Sequence, residues 1–140
     1  MTIQAIHEGG CACGALRFTV KAAPQRVGMC HCMTCRRVSG SPFGVYAIFR
    51  RADVEFRGQT QAWESSAEAR RHFCALCGSV AYMEYVDHDE IDLPIGAFDE
   101  TGLYAPDYEL WCIHREPWLP ADARPEYERD RHDSHGTTPP

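Results

Sequence analysis

The cysteines of this chain are the residues whose spacing could do chemistry. Eight stand among 140 residues. They divide into a C-x-C pair, a C-x-C-x-x-C triplet, a C-x-x-C pair followed by glycine, and one that stands alone. In chain order these are Cys11 and Cys13; Cys30, Cys32 and Cys35; Cys74 and Cys77 before Gly78; and Cys112. Thiolates suit zinc, and clustered cysteines in a reducing compartment bind metal more often than they form disulfides. The pattern predicts a zinc protein with two ions per chain.

The two isolated pairs predict a closed structural site. A C-x-x-C turn directs both sulfurs at one ion, and Gly78 allows the chain to turn sharply after Cys77. Such a knuckle supplies two ligands, and Cys11 and Cys13 supply the other two. Four thiolates fill the tetrahedron of zinc and leave no position for chemistry.

The triplet Cys30, Cys32 and Cys35 predicts a second, open zinc site. Three protein ligands with one exchangeable position are typical of catalytic zinc. Three thiolates make the ion a weak Lewis acid, which favours capture of a thiol over production of hydroxide. Two alternatives remain at this point. The triplet could form disulfides, or it could take a fourth protein ligand and become structural; the candidates are His31, His72, Cys112 and His114. Cys112 lies in an apolar stretch, and we interpret it as a core residue.

The bulk properties exclude several classes of function. The formal net charge of −6 disfavours a nucleic-acid partner, because the phosphate backbone would be repelled. The longest apolar stretches are too short to cross a bilayer, so no membrane association is expected. No basic segment followed by an apolar one opens the chain, and we expect a cytoplasmic protein.

The apolar pattern predicts a mainly β domain, mostly antiparallel, with one or two short helical turns. Period-two or β-rich stretches predict strands at residues 15–20, 45–49, 54–56, 79–85, 91–95 and 108–113. One short helix is predicted at Met33–Ser39, ended by Gly40. Residues 1–119 are expected to form one domain. Residues 120–140 are polar and proline-rich, and we expect a loose tail.

Several motifs together resemble one known family. They are residues 10–14, 30–37, 73–79, 95–99 and 117–118, in that order. They resemble the glutathione-dependent formaldehyde-activating enzyme family, whose domain is shared with centromere protein V. The resemblance covers about residues 5–119. The chain departs from it at Glu109, where relatives often carry a histidine.

The resemblance implies a fold, an activity and a set of ligands. The fold would be a β-tent of small antiparallel sheets stapled by zinc. Cys11, Cys13, Cys74 and Cys77 would hold the structural zinc, and Cys30, Cys32 and Cys35 the catalytic zinc. The activity would be that of a carbon–sulfur lyase, which forms or breaks S-hydroxymethylglutathione from glutathione and formaldehyde.

Three residues beside the triplet are candidates for substrate binding. Arg36 and Arg37 could bind the carboxylates of glutathione, or they could offset the charge of the thiolates. His31 could carry a proton, or it could be a satisfied core residue. Two other functions remain open: a non-catalytic zinc module that binds a partner, and a sensor in which oxidation of the thiols releases zinc.

Overall fold

The computed structural model describes residues 7–131, which form two β-sheets. The strands are β1 (His7–Gly10), β2 (Arg17–Val20), β3 (Arg26–Cys30), β4 (Gly44–Arg50), β5 (Val54–Arg57), β6 (Thr60–Glu64), β7 (Ala69–Cys74), β8 (Val80–Tyr85), β9 (Glu90–Pro94) and β10 (Tyr108–Leu110). The α-helix described is α1 (Met33–Ser39), and short 3-10 turns cover Arg51–Asp53, Ile95–Ala97 and Cys112–His114. The prediction of a mainly β fold with small sheets is confirmed.

The smaller sheet has the order β1-β2-β5 and the larger one the order β10-β3-β4-β9-β8-β7-β6. Neighbouring strands are antiparallel throughout, except that β10 lies parallel to β3. A parallel neighbour requires a long connection. The chain between these two strands therefore builds most of the large sheet before it returns.

The two faces of the large sheet have different roles because side chains alternate along each strand. One face carries Val27, Ala47, Phe49, Ile91 and Leu93. These residues pack against Phe18 and Val20 of β2 in the small sheet, and against Leu16, which immediately precedes β2. Apolar burial of this kind is worth about 25 cal/mol per Å², so this face holds the two sheets together. The other face is left for polar and reactive side chains.

The predicted elements agree with the structure where the apolar pattern is strong. The helix spans Met33–Ser39 as predicted, and Gly40 ends it with a left-handed φ of 68°. The predicted strand over 108–113 is wrong in length. β10 ends at Leu110 because Trp111 takes a φ of 55°, and a 3-10 turn follows. Cys112 therefore lies in a turn and is half-buried, so its interpretation as a core residue in a strand is wrong.

Residues 125–129 lie beside β10 and the turn after it. The N–H of Tyr127 donates to the carbonyl of Glu109 at 2.9 Å, and the N–H of Trp111 donates to the carbonyl of Arg129 at 3.0 Å. The predicted domain boundary at residue 119 stays a prediction, and residues 132–140 of the predicted tail lie outside the described residues. Within residues 7–131, no helix is long and apolar enough to span a membrane.

Candidate metal centres and their cavity

The two isolated cysteine pairs meet in one cluster, as the sequence predicts. Cys11 and Cys13 lie in the turn between β1 and β2, while Cys74 ends β7 and Cys77 lies in the turn that follows it. The Sγ atoms of Cys11 and Cys13 are 3.5 Å apart, and those of Cys13 and Cys74 are 3.8 Å apart. Zinc–sulfur bonds of about 2.3 Å in a tetrahedron place neighbouring sulfurs about 3.8 Å apart. The cluster has the dimensions of a four-thiolate zinc site.

The backbone of both turns is arranged to stabilise negative sulfur. The N–H groups of Leu76 and Cys77 donate to the Sγ of Cys74 at 3.4 and 3.5 Å. The N–H of Leu16 donates to the Sγ of Cys11 at 3.2 Å. Gly78 takes a φ of 78° and donates its N–H to the carbonyl of Cys74, which closes the turn. These donors fit thiolate ligands, and the cluster could hold a metal ion.

The triplet forms a second cluster at the junction of β3 and α1. The Sγ atoms of Cys30, Cys32 and Cys35 all lie within 4.8 Å of one another, and all three residues are buried. Cys32 caps the helix, and its Sγ accepts the N–H of Cys35 at 3.2 Å. Hydrogen bonds with the thiols of Cys30 and Cys32, together with the charge of Arg71, lower the pKa of Cys35 to about 2. The same coupling raises the pKa of Cys30 and of Cys32. The convergence of the three sulfurs is therefore what suits a cation, and these three residues could hold a metal ion.

A cavity of about 160 Å³ lies beside the triplet. Its wall is the second face of the large sheet, on which Cys30 pairs with Gly44, Gly28 with Tyr46, and Ile48 with Asp92. The lining combines apolar and polar groups: Ile48, Met83, Leu110, Tyr46, Tyr85, Tyr108, Ser65, Arg71, Asp92 and Asp130 are among its members. A cleft lined mainly by apolar groups with a few convergent polar ones is the usual form of a binding site.

Arg71 is a cavity residue that the sequence analysis did not single out. It is 9% exposed, and its Nη2 lies 3.8 Å from the Sγ of Cys35, while its Nε donates to the Oγ of Ser65 at 3.2 Å. Tyr46 lines the cavity as well, and burial together with the charge of Cys35 raises its pKa. Arg71 stands in a polar stretch without a motif, and only the pairing of β7 with β8 brings it onto this face.

Asp92 is the second cavity residue that sequence reasoning missed. It is 6% exposed, and its Oδ2 accepts a hydrogen bond from the hydroxyl of Tyr85 at 2.8 Å. Burial raises its pKa to about 6. A charged residue between Ile91 and Leu93 in a buried strand was the available signal, since an acidic residue is rarely buried without a role.

The three residues predicted to bind substrate do not line this cavity. Arg36 pairs with Glu116, with 2.7 Å between Nη2 and Oε1, and donates to the carbonyl of Pro42 at 3.3 Å. Arg36 and Arg37 line a separate surface depression near the C-terminal end of α1. His31 is fully buried and does not line the cavity. Their roles in substrate binding stay predictions.

His31 belongs to a buried ion network on the side of β10. Its Nε2 lies 2.8 Å from Oε1 of Glu109, which also accepts a hydrogen bond from Nη2 of Arg115 at 2.7 Å. Glu109 is 3% exposed, and its second oxygen lies 3.8 Å from Nε of Arg124. The Sγ of Cys112 is near enough to complete a set of three ligand atoms with His31 and Glu109. The two guanidinium groups neutralise this carboxylate, and the network anchors His31, which stands between Cys30 and Cys32.

One protein family and two curated relatives are similar to this chain. The model of a family described as glutathione-dependent formaldehyde-activating enzyme matches residues 6–114. A Schizosaccharomyces pombe protein, described as an uncharacterized lyase, is 31% identical over 81 residues, which span 58% of this chain and 59% of the relative. A Halomonas elongata protein, named provisionally as a glutathione-dependent formaldehyde-activating enzyme, is 27% identical over 89% of this chain and 84% of its own length.

A solved structure supports the fold. A crystal structure of a Rhodobacter sphaeroides protein has a TM-score of 0.58 and 21% identity, and it covers 69% of this chain and 91% of that chain.

Proposed function

Because the chain belongs to the glutathione-dependent formaldehyde-activating enzyme family, we propose that it is a zinc-dependent carbon–sulfur lyase. Its substrate would be the adduct of a small thiol and a small aldehyde, such as S-hydroxymethylglutathione formed from glutathione and formaldehyde. One observation carries the proposal. The triplet Cys30, Cys32 and Cys35 forms part of the wall of a partly polar cavity, whereas the four-cysteine cluster does not.

The triplet and its neighbours fit this chemistry. A zinc ion bound to the three cysteines would supply the positive charge that keeps a substrate thiol ionised at neutral pH. Arg71 holds Cys35 with its guanidinium, which offsets part of the negative charge of the triplet. This contact helps to fix the orientation of the helix end that presents Cys35.

The cavity is suited to the reacting atoms of the substrate rather than to a whole tripeptide. Pockets that hold a whole drug-sized ligand typically measure about 300–1,000 Å³, and this cavity measures about 160 Å³. That space holds the thiol end of the substrate and a small aldehyde. The side chains of Ile48, Met83 and Leu110 make part of the wall apolar and limit competing reactions with water.

The test combines metal analysis with kinetics. We expect two zinc ions per chain by elemental analysis, and a rate of hemithioacetal formation above the uncatalysed background. Cys35→Ser should lose one zinc and at least a hundredfold in rate, while Cys112→Ser, a matched change outside the cavity, should lose neither. Full activity of the Cys35→Ser chain after loss of that zinc would overturn the proposal. Two zinc ions per chain, with no rate above background and no effect of glutathione on the zinc content, would favour a non-catalytic zinc module.

A further inference from the structure

Asp92 has one carboxylate oxygen available to a ligand. Its Oδ2 accepts the hydroxyl of Tyr85, but its Oδ1 is buried and has no hydrogen-bond partner among residues 7–131. Leaving a buried acceptor unsatisfied is unfavourable, and more so for a charged group. Because Asp92 is 6% exposed and lines the cavity, a molecule in the cavity is the natural partner for Oδ1.

The pairing of the strands places Asp92 and the thiolate triplet in the same cavity. Asp92 on β9 pairs with Ile48 on β4, and Ile48 pairs with Arg26 on β3. Cys30 stands four residues after Arg26 on β3 and therefore points to the same face. The cavity joins the two groups, with the triplet at one part of its wall and Asp92 at another.

The charges around Asp92 allow it to gain and lose a proton near neutral pH. Burial raises its pKa to about 6, and the hydrogen bond from Tyr85 opposes that rise. Arg26 lowers the pKa as well, while Glu90 and Cys35 raise it. Met83, which pairs with Asp92 from β8, carries no charge. A general base works best when its pKa lies near the working pH.

We propose that Asp92 carries the proton between the thiol sulfur and the aldehyde oxygen, and so acts as the catalytic base and acid of the lyase. The carboxylate takes the proton that the thiol loses as it enters the site, and the sulfur electron pair forms the C–S bond. The π electrons of the carbonyl move to its oxygen, which takes the same proton from Asp92. The carboxylate is regenerated, and atoms and charges balance. Breakdown of the adduct follows the reverse path. This inference rests on the proposed function.

Tyr85 is the positioning residue for this step. Its hydroxyl donates to Oδ2 at 2.8 Å, which leaves Oδ1 to the substrate and holds the carboxylate in one orientation. The same hydrogen bond stabilises the ionised form of Asp92. Removing it should raise the pKa of Asp92, so that a higher pH is needed to generate the base.

The first test is Asp92→Asn in the zinc-loaded full chain, with glutathione and formaldehyde. We expect the rate above background to fall at least a hundredfold, because general acid–base catalysis contributes 10²–10⁴. Zinc content and the KM for the thiol should change less than twofold. In the wild-type chain the rate should fall with decreasing pH through about 6, and Asp92→Asn should lack that limb. Asp89→Asn, the same change at an exposed position, is the control. Zinc is measured at each pH.

Tyr85→Phe gives an independent readout, which also serves if Asp92→Asn fails to fold. We expect the acidic limb to move to higher pH, with zinc content unchanged. If the acidic limb of the pH–rate profile stayed at the same pH in Tyr85→Phe, the roles of both Asp92 and Tyr85 would be overturned. Asp92→Asn with a rate within threefold of wild type would overturn this inference while leaving the lyase intact. No rate above background in the wild-type chain would instead overturn the proposed function.

Discussion

At the scale of single residues, the charge of the thiolate triplet is balanced by Arg71. Its guanidinium is buried beside Cys35, with 3.8 Å between Nη2 and Sγ, and Ser65 fixes its Nε. A buried cation is expensive unless it has an anionic partner, and three thiolates around a dication carry a net negative charge. Arg71 and the occupied triplet therefore stabilise each other, and zinc affinity becomes a measure of this contact.

Replacing Arg71 with Gln tests that coupling. We expect the affinity of the triplet for zinc to fall tenfold or more, since removing groups that hold metal ligands typically costs 10–100-fold. Competition with a chromophoric chelator measures the affinity. Arg70→Gln is the matched control, because Arg70 is the neighbouring residue on β7 but is exposed on the opposite face. Equal affinities for the two variants would show that the guanidinium does not support the triplet.

At the scale of elements, the parallel pair of β3 and β10 carries one end of the cavity. Tyr108 on β10 pairs with Gly28 on β3, and its ring lies directly over that glycine. An added Cβ at Gly28 would come within 2.7 Å of the ring, closer than real contacts allow. The glycine thus makes room for an aromatic side chain that lines the cavity.

Gly28→Ala should therefore destabilise the chain by about 1–3 kcal/mol, the usual cost of overpacking a filled site. Urea unfolding measures the change. Gly96→Ala is the control because a Cβ there meets no atom within 4 Å, and its stability should stay close to wild type. If Gly28→Ala were as stable as Gly96→Ala, Tyr108 would have to move freely, and the pair would not fix this wall.

The same elements show what the sequence could and could not predict. Ligand spacing predicted both cysteine clusters, because the residues of each pair are close in the chain and turn geometry is local. The apolar run at 45–49 predicted β4, since burial on both faces leaves a clear pattern. Arg71 and Asp92 meet the triplet only through strand register across several strands, which a single sequence does not encode locally. β6 is largely exposed, so no apolar periodicity marked it.

At the scale of the whole molecule, the four-cysteine cluster joins the two sheets. Cys11 and Cys13 follow β1 of the small sheet, while Cys74 ends β7 of the large one and Cys77 lies in the turn before β8. The N–H of Ala12 also donates to Oγ of Ser79 across the same junction at 3.0 Å. The two clusters therefore differ in position: the four-cysteine cluster links the two sheets, whereas the triplet lines the cavity.

Residues 125–130, near the end of the described chain, pack beside β10 and the turn that follows it. The N–H of Glu109 donates to the carbonyl of Pro125 at 2.9 Å, and the indole N–H of Trp111 donates to Asp130, which lines the cavity. A chain ending at residue 119 should thus be less stable than one ending at residue 131 by about 6 kcal/mol, at roughly 1 kcal/mol for each of the six hydrogen bonds that link the two parts within the described residues. Urea unfolding of both chains with zinc bound measures this difference. Equal stabilities would show that residues 120–131 are dispensable for folding and would favour the predicted loose tail.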